Sequence, residues 1–558
     1  MTPGGAPGTA RRFLPDALAA AALGAAVWAV YGRVRSLWWT FDDLFLLHVL
    51  QGRSAIDFFF SPGLWRGLPF RMFLPVLLAS YDLDFVIAGA QPRAFYVHEL
   101  LACTAAAVAL FAVFRRWFGT TLSGVGALLF VLGAPFVTWA QQIMHRHYVE
   151  GFVFAAVSVW LFVGALRRGR KSAALFSALF YLLATLAKEV YIPLPGILAL
   201  LPEGSWRERL HRLVPHAAAA VLYFAWRVAM IGTMLGGYGW ALRPGDLPAA
   251  ARALPGHVAA SLLPGSRTWN LVLFAVLAAG AIVYFRRAPR ALAPILGAAI
   301  LTILPAVPVS KAAGVRFAAM PWALAVAVFV SGCALLLEGS ARARAAAALL
   351  LGLAAVSGFA ANRARWNLQW LEVERMSAEG RFLVSMAPGD LLRSPSLPPA
   401  AREETRWFRE EYLHRPAGGA WFEDDFSLCG GPRAGRIWEY DVREDRVRDV
   451  TARARSRAAA RCDSWKRNAP LRASLSFSGN ALFWDFGPYV TGSYAILRNR
   501  GADATPVDRV GGYRLSTPAI SLMVRYVSAA GWVTYSPELT LDSRTAANLS
   551  WERRLASR

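Results

Sequence analysis

The chain has 558 residues, of which 56% are hydrophobic and only 17% charged, and its mean hydropathy is +0.37. Soluble domains rarely combine so much apolar sequence with so little charge, so a protein with many membrane spans is expected. The formal net charge of +24 gathers in short clusters between apolar runs and in the tail, with no nucleic-acid motif beside it, which argues against a nucleic-acid partner.

Residues 13–31 (FLPDALAAAALGAAVWAVY) form the first run able to cross a hydrocarbon core of about 30 Å. No small-residue cleavage site follows at Tyr31-Gly-Arg-Val-Arg, so the run reads as a retained helix and not as a signal peptide. Ten further spans are expected near 97–114, 121–139, 148–166, 172–188, 190–202, 213–234, 269–285, 291–308, 317–337 and 345–361, about eleven in all. Basic clusters fall at every second boundary: Arg11-Arg12, Arg115-Arg116, Arg167 to Lys171, Arg207 to Arg212, Arg286-Arg287 with Arg290, and Arg342 with Arg344. That alternation fits a cytoplasmic amino terminus and an inner-membrane protein. It places the loops at 33–96, 140–147, 188–189, 235–268 and 309–316, and everything after 361, on the extracytoplasmic side. A span at 70–88 would reverse every later loop, so 44–90 is read as helices lying along the outer membrane surface.

The membrane domain is thus 1–361, with a first external loop at 33–96, and 362–558 is an extracytoplasmic domain. Trp366, Trp370, Val373 and Met376 recur at spacings of three or four and predict an amphipathic helix leaving the last span. From 471 onward, alternation at 471–477 and short runs at 495–497, 513–515, 521–527 and 532–535 predict strands, hence a small α/β or β-rich fold. Cys103 and Cys333 lie in spans. Cys429 and Cys462 lie in the tail, where a disulfide and two free thiols are both open.

Ionisable residues at span ends on one side of a bilayer are candidates for chemistry. Asp42 and Asp43 follow the first span, with His48 beyond them; a helix cap accounts for one acid but poorly for two. His145, Arg146 and His147 sit in the turn between the third and fourth spans. Two histidines at i and i+2 do not face each other on a helix, and no further ligand lies near, so as a group they suit an anion better than a metal. Lys188, beside Glu189, closes the fifth span. Lys311 and Arg316 precede the tenth and supply two fixed cations on the same side, a cradle for a phosphate or diphosphate. Arg227 is the chief charge lying away from the external ends.

Taken in order and sidedness, Phe41-Asp42-Asp43, the surface helices after it, Lys188-Glu-Val-Tyr-Ile-Pro-Leu-Pro195, Arg316-Phe317 and an extracytoplasmic tail resemble the GT-C superfamily. Its members are integral-membrane glycosyltransferases, including protein O-mannosyltransferases and lipid A aminoarabinose transferases. The resemblance implies a sugar donor on a polyprenyl phosphate or diphosphate, an inverting transfer, and a glycan, lipid or protein acceptor met at the membrane. Carried onto this chain it makes Asp42 the base, with Asp43 second, and Lys188, Lys311 and Arg316 the donor-phosphate ligands. His145, Arg146 and His147 then hold phosphate or acceptor. No cofactor is required by it, and a divalent metal stays open because relatives differ. The main alternative is a multi-span transporter or lipid flippase, which should show internal repeats and charges near the midplane; no clear repeat is visible.

Overall fold

A computed structural model describes residues 10–68, 72–234, 252, 267–306, 315–429, 435–465, 469–478, 481–514, 521–540 and 550–556. The chain divides into two compact units, Met1–Leu37 with Phe45–Val373, and Trp38–Leu44 with Glu374–Arg558.

The first unit is helical. In chain order its helices are α1 (Ala10–Tyr31), α2 (Asp43–Leu50), α3 (Ala55–Phe60), α4 (Pro62–Gly67), α5 (Pro75–Ala88), α6 (Pro92–Phe114), α7 (Thr120–Val131), α8 (Ala134–Gln141), α9 (Arg146–Arg168), α10 (Lys171–Ala187), α11 (Leu194–Ala199), α12 (Trp206–Ile231), α13 (Arg267–Arg287), α14 (Leu292–Ile303), α15 (Ala319–Leu337) and α16 (Ala341–Ser385). Among the described residues eight helical segments are long and apolar enough to cross a membrane, or nine if the bent pair α7–α8 is one span. Two of the eleven expected spans, 172–188 and 190–202, correspond to shorter apolar helices, Lys171–Ala187 and Glu189–Ala199. These helices make the chain an integral membrane protein.

Local chemistry sets many of the helix ends. A capping box starts α3, where Ser54 N donates to Asp57 Oδ2 at 2.8 Å. Ser205 caps α12 through Glu208 N at 3.2 Å. Helices α9 and α12 both stop at glycines with positive φ, Gly169 and Gly232. The stretch 44–90 forms α2 to α5, and its middle docks on the carboxyl end of α12: Trp226 Nε1 donates to Phe59 O at 2.8 Å and Arg66 Nη2 to Ala229 O at 2.9 Å.

Three of the basic clusters meet at one end of the bundle. Arg167 Nη1 donates to Arg116 O at 2.6 Å, Arg212 Nη2 to Gly169 O at 2.8 Å, and Arg115 Nε pairs with Asp16 at 2.8 Å. The ends of α1, α6, α9 and α12 are therefore brought together by the cations whose alternation predicts topology.

Between α7 and α8 the helix axis turns by 61° at Leu132-Gly133. A break among apolar helices frees carbonyls that lipid cannot satisfy. Here Val131 O accepts from Tyr31 Oη at 2.7 Å, Leu132 O from Asn362 Nδ2 at 3.2 Å, and Leu129 O from Trp322 Nε1 at 3.2 Å. Helices α1, α15 and α16 thus supply the donors that the corner lacks. Gly133 makes room for this, since a Cβ there would stand 2.0 Å from Trp322 Nε1.

The second unit carries the strands. Helix α16 runs unbroken past the composition change at 361–362, so the two units divide inside it, at Val373–Glu374. Segment Trp38–Leu44 belongs here: Trp38 N donates to Ser377 Oγ at 2.7 Å, and Phe41 packs on Met376, Leu383 and Leu392. Strands β1 (Leu391–Arg393), β2 (Ala420–Phe422), β3 (Ile437–Asp441) and β4 (Arg446–Asp449) form a sheet in the order β2-β1-β3-β4, parallel at β1 and antiparallel between β3 and β4. Helices α17 (Pro399–Trp407) and α18 (Thr451–Trp465) accompany it.

Two antiparallel sheets follow. One orders β13 (Ser550–Ala556), β5 (Arg472–Ser478), β6 (Ala481–Gly487) and β9 (Val510–Arg514). The other orders β11 (Val533–Tyr535), β10 (Ser521–Val527), β7 (Ser493–Arg498) and β8 (Asp503–Val507), with β12 (Leu539–Thr540) beside β10. Leu475, Leu482 and Phe486 of the first pack against Ile496, Leu522 and Val524 of the second, as alternating strands require. Cys429 and Cys462 form a disulfide, which resolves the alternative left open by the sequence.

The corner at Gly133 yields a stability test. Gly133→Ala should lower the unfolding free energy of the detergent-solubilised protein by about 1–3 kcal/mol, because Trp322 must leave its carbonyl partner; thermal unfolding followed by tryptophan emission measures it.

Candidate functional site

The turn between α8 and α9 passes through a short 3-10 segment, Ile143–His145, and then α9 begins at Arg146. Within it Arg146 is turned away from its two neighbours. Its guanidinium is fully buried and surrounded by acids: Nη1 pairs with Asp84 at 2.5 Å, Nε with Glu99 at 3.3 Å, and Nη2 donates to Phe95 O at 2.7 Å. Asp84 also meets His98 at 2.7 Å, and Ser80 donates to Glu150 Oε1 at 2.5 Å. Arg146 thus joins α5, α6 and α9, and its charge is committed to carboxylates of the protein itself. The expected ligand trio is therefore a pair of histidines flanking a structural arginine.

The histidines face other partners. His145 is buried and its Nδ1 lies 3.4 Å from Thr138 O, while Nε2 is buried without a hydrogen-bond partner. His147 is 6% exposed and its Nδ1 likewise has no partner. Both rings pack on Tyr148, at 5.8 and 4.4 Å between centroids, and Tyr148 in turn packs edge-on against Phe317 at 5.5 Å. Gln141 Oε1, at the end of α8, is a further buried atom without a partner.

Lys188 lies in the same region. Helix α10 ends there, and the residue takes an extended conformation with φ −156° and ψ 133°. This break lets two adjacent side chains meet, which a continuous helix forbids. Lys188 Nζ stands 3.2 Å from Glu189 Oε1 and 5.3 Å from the Tyr148 ring centroid, and its side chain is fully buried. Glu189 Oε2 is buried and has no hydrogen-bond partner. Burial opposes the charge of Glu189, but the Lys188 and Arg227 cations outweigh it and hold the carboxyl below its ordinary range. Arg227, the charge that looked isolated in the sequence, therefore acts on this turn; its Nη1 donates to Tyr223 Oη at 3.3 Å.

Arg316 precedes α15 in a 3-10 turn, half-buried, with its guanidinium 5.3 Å from the Phe317 ring centroid. Both Lys188 and Arg316 lie near enough to His145 and His147 to act on them electrostatically. Residues 145, 147, 188 and 316, drawn from three separate parts of the chain, are thus brought together. Lys311 lies outside the described residues. Tyr148, Glu189 and Arg227 complete the cluster. Periodicity does not reveal them, but Glu189 and Arg227 are visible as charges in apolar surroundings.

Such a cluster suits an anion. Two cations, Lys188 and Arg316, offer charge-assisted donors in surroundings where water competes little. Among the described residues no group of three or more His, Cys, Asp or Glu side chains is placed to hold a metal ion.

The two acids of the first loop lie in the other unit and differ from each other. Asp43 is fully buried, and its Oδ2 accepts from Thr40 N at 2.9 Å and Thr40 Oγ1 at 3.3 Å. It ties the residue that opens α2 back to Thr40, just before the helix. Asp42 is exposed one residue earlier, and His48 is exposed in the last turn of the same helix.

Arg146 has a measurable consequence. Arg146→Met should destabilise the folded protein by about 3–5 kcal/mol by leaving Asp84 and Glu99 buried without their cation. The unfolding temperature in detergent should fall accordingly, and Arg146→Lys should recover only part of it.

No protein-family model matches the sequence, and no curated protein matches it. Among solved structures the chain is similar to the oligosaccharyltransferase of Archaeoglobus fulgidus tethered with an acceptor peptide containing the NVT sequon, at 11% identity and a TM-score of 0.46, covering 90% of this chain and 74% of that one. The apo form of that enzyme is similar at 8% identity and a TM-score of 0.46, over 88% and 74% of the two chains. ArnT from Cupriavidus metallidurans in the apo state is similar at 13% identity and a TM-score of 0.41, over 76% of this chain and 92% of that one.

Proposed function

We propose that this membrane protein is a glycosyltransferase of the GT-C type, moving a sugar from a polyprenyl phosphate or diphosphate to an extracytoplasmic acceptor with inversion. The observation that carries the reading is the pair of cations Lys188 and Arg316, the first fully buried and the second half-buried, both within electrostatic reach of His145 and His147.

In the proposed reaction Asp42 takes the proton of an acceptor hydroxyl as that oxygen attacks the anomeric carbon. The bond from that carbon to the phosphate oxygen breaks, and its electron pair leaves with the phosphate. Lys188, Arg316 and Lys311 stabilise the departing charge, so no general acid is needed. His145 and His147 line the place of the phosphate or of the acceptor. Asp42 is preferred to Asp43 as base because Asp43 is buried and already bonded to Thr40, whereas Asp42 is exposed. The acceptor is a glycan, lipid or protein met outside the cytoplasm, and the donor enters from the membrane.

Asp42→Asn should lower transfer by about 10²–10⁴-fold, the range of a general base, with the protein still folded and inserted. Glycan mass spectrometry of a deletion strain complemented with this variant reads the loss; wild-type glycans would remove Asp42 from the role. Lys188→Ala and Arg316→Ala should each weaken binding of a polyprenyl-phosphate donor, measured on the purified protein in nanodiscs. Unchanged affinity in both would remove the phosphate cradle.

A further inference from the structure

The turn at Lys188-Glu189 holds a group that phosphate binding alone does not use. Glu189 presents two carboxylate oxygens with different fates. Oε1 is clamped by Lys188 Nζ at 3.2 Å, whereas Oε2 is buried and has no hydrogen-bond partner. A buried carboxylate oxygen without a donor is costly. Here the charge is sustained by two cations, Lys188 and Arg227, so the acceptor remains available. His145 Nε2 and His147 Nδ1, on rings within electrostatic reach of Lys188, also lack hydrogen-bond partners. Cations serve an anion, but Glu189 Oε2 is an acceptor, and a fully ionised phosphate has no hydrogen to give it.

We infer that Glu189 is a ligand-binding residue whose Oε2 accepts a hydrogen bond from a hydroxyl placed beside the anion, so that the site takes a hydroxyl-bearing phosphate ester, a sugar phosphate, in preference to a bare lipid phosphate. The inference rests on the proposed phosphate site and names what that site selects. Lys188 then has two tasks: it neutralises the phosphate and it fixes the carboxylate that reads the sugar. A repulsive element accompanies the attractive one, because Glu189 disfavours an anion that offers no hydroxyl in exchange.

The test uses the full chain in nanodiscs, with decaprenyl phosphate and its glucosyl and mannosyl esters as probes and intrinsic tryptophan emission as the readout. Wild type should bind at least one sugar ester about tenfold more tightly than decaprenyl phosphate, the value of one charge-assisted hydrogen bond. Glu189→Gln should erase that preference while decaprenyl phosphate binds as well as before, or better, since Lys188 loses its competing anion. Glu189→Asp should keep part of the preference. A structural role alone would weaken both kinds of probe together, and that outcome, or an unchanged preference in Glu189→Gln, overturns the inference. If wild type binds decaprenyl phosphate but prefers neither ester, the inference fails and the phosphate site stands. If it binds none of the probes, both fail.

Discussion

The membrane unit is organised around one buried charge, the guanidinium of Arg146. A cation in an apolar bundle is tolerable only when acids and carbonyls surround it, and α5, α6 and α9 each contribute. Asp84 comes from α5, Glu99 and Phe95 O from α6, and the arginine itself from the first turn of α9. Removing any one partner leaves the others buried without it, which ties the three helices to one another. The arrangement sets the direction of the α8–α9 turn, and through it the places of His145 and His147. Arg146 thereby fixes the turn that carries the two histidines.

The candidate site depends equally on a failure of helical structure. Were α10 to continue past Ala187, Lys188 and Glu189 would point to different sides. The extended backbone at Lys188 brings the two charges together and leaves the lysine enclosed, with Met72 Sδ 3.8 Å from its ammonium. Both halves of the site, the histidine turn and the lysine turn, are interruptions between helices. Regular helices bury their polar backbone and leave little to offer a ligand, so the chemistry collects where they stop.

Much of this was legible in the sequence. Apolar runs and alternating basic clusters identified the helical bundle, and several contacts among those clusters join one end of it. Alternation from 471 onward marked β5, β7, β9, β10 and β11. The strands β1 to β4 were not visible, because they are short and β1 pairs with β2 and β3 far along the chain. Lys188, Arg316 and the histidines were found as charges near span ends, which needs no knowledge of packing. Arg146 was misjudged as a ligand because its acids, at 84 and 99, lie far from it in the chain. The different surroundings of Asp42 and Asp43 could not be read either: Asp43 turns back to Thr40, while Asp42, one residue earlier, is exposed.

The corner between α7 and α8 bears on how the chain assembles. Its carbonyls at 129, 131 and 132 are satisfied by Trp322, Tyr31 and Asn362. Only Tyr31 is made before the corner itself; the other two donors follow it by 193 and 230 residues. The carbonyls at 129 and 132 are therefore without these donors until α15 and α16 have been made. The early helices cannot close their packing ahead of the late ones. The corner is completed only by the last two described helices of its unit, and a chain truncated before residue 322 lacks both late donors.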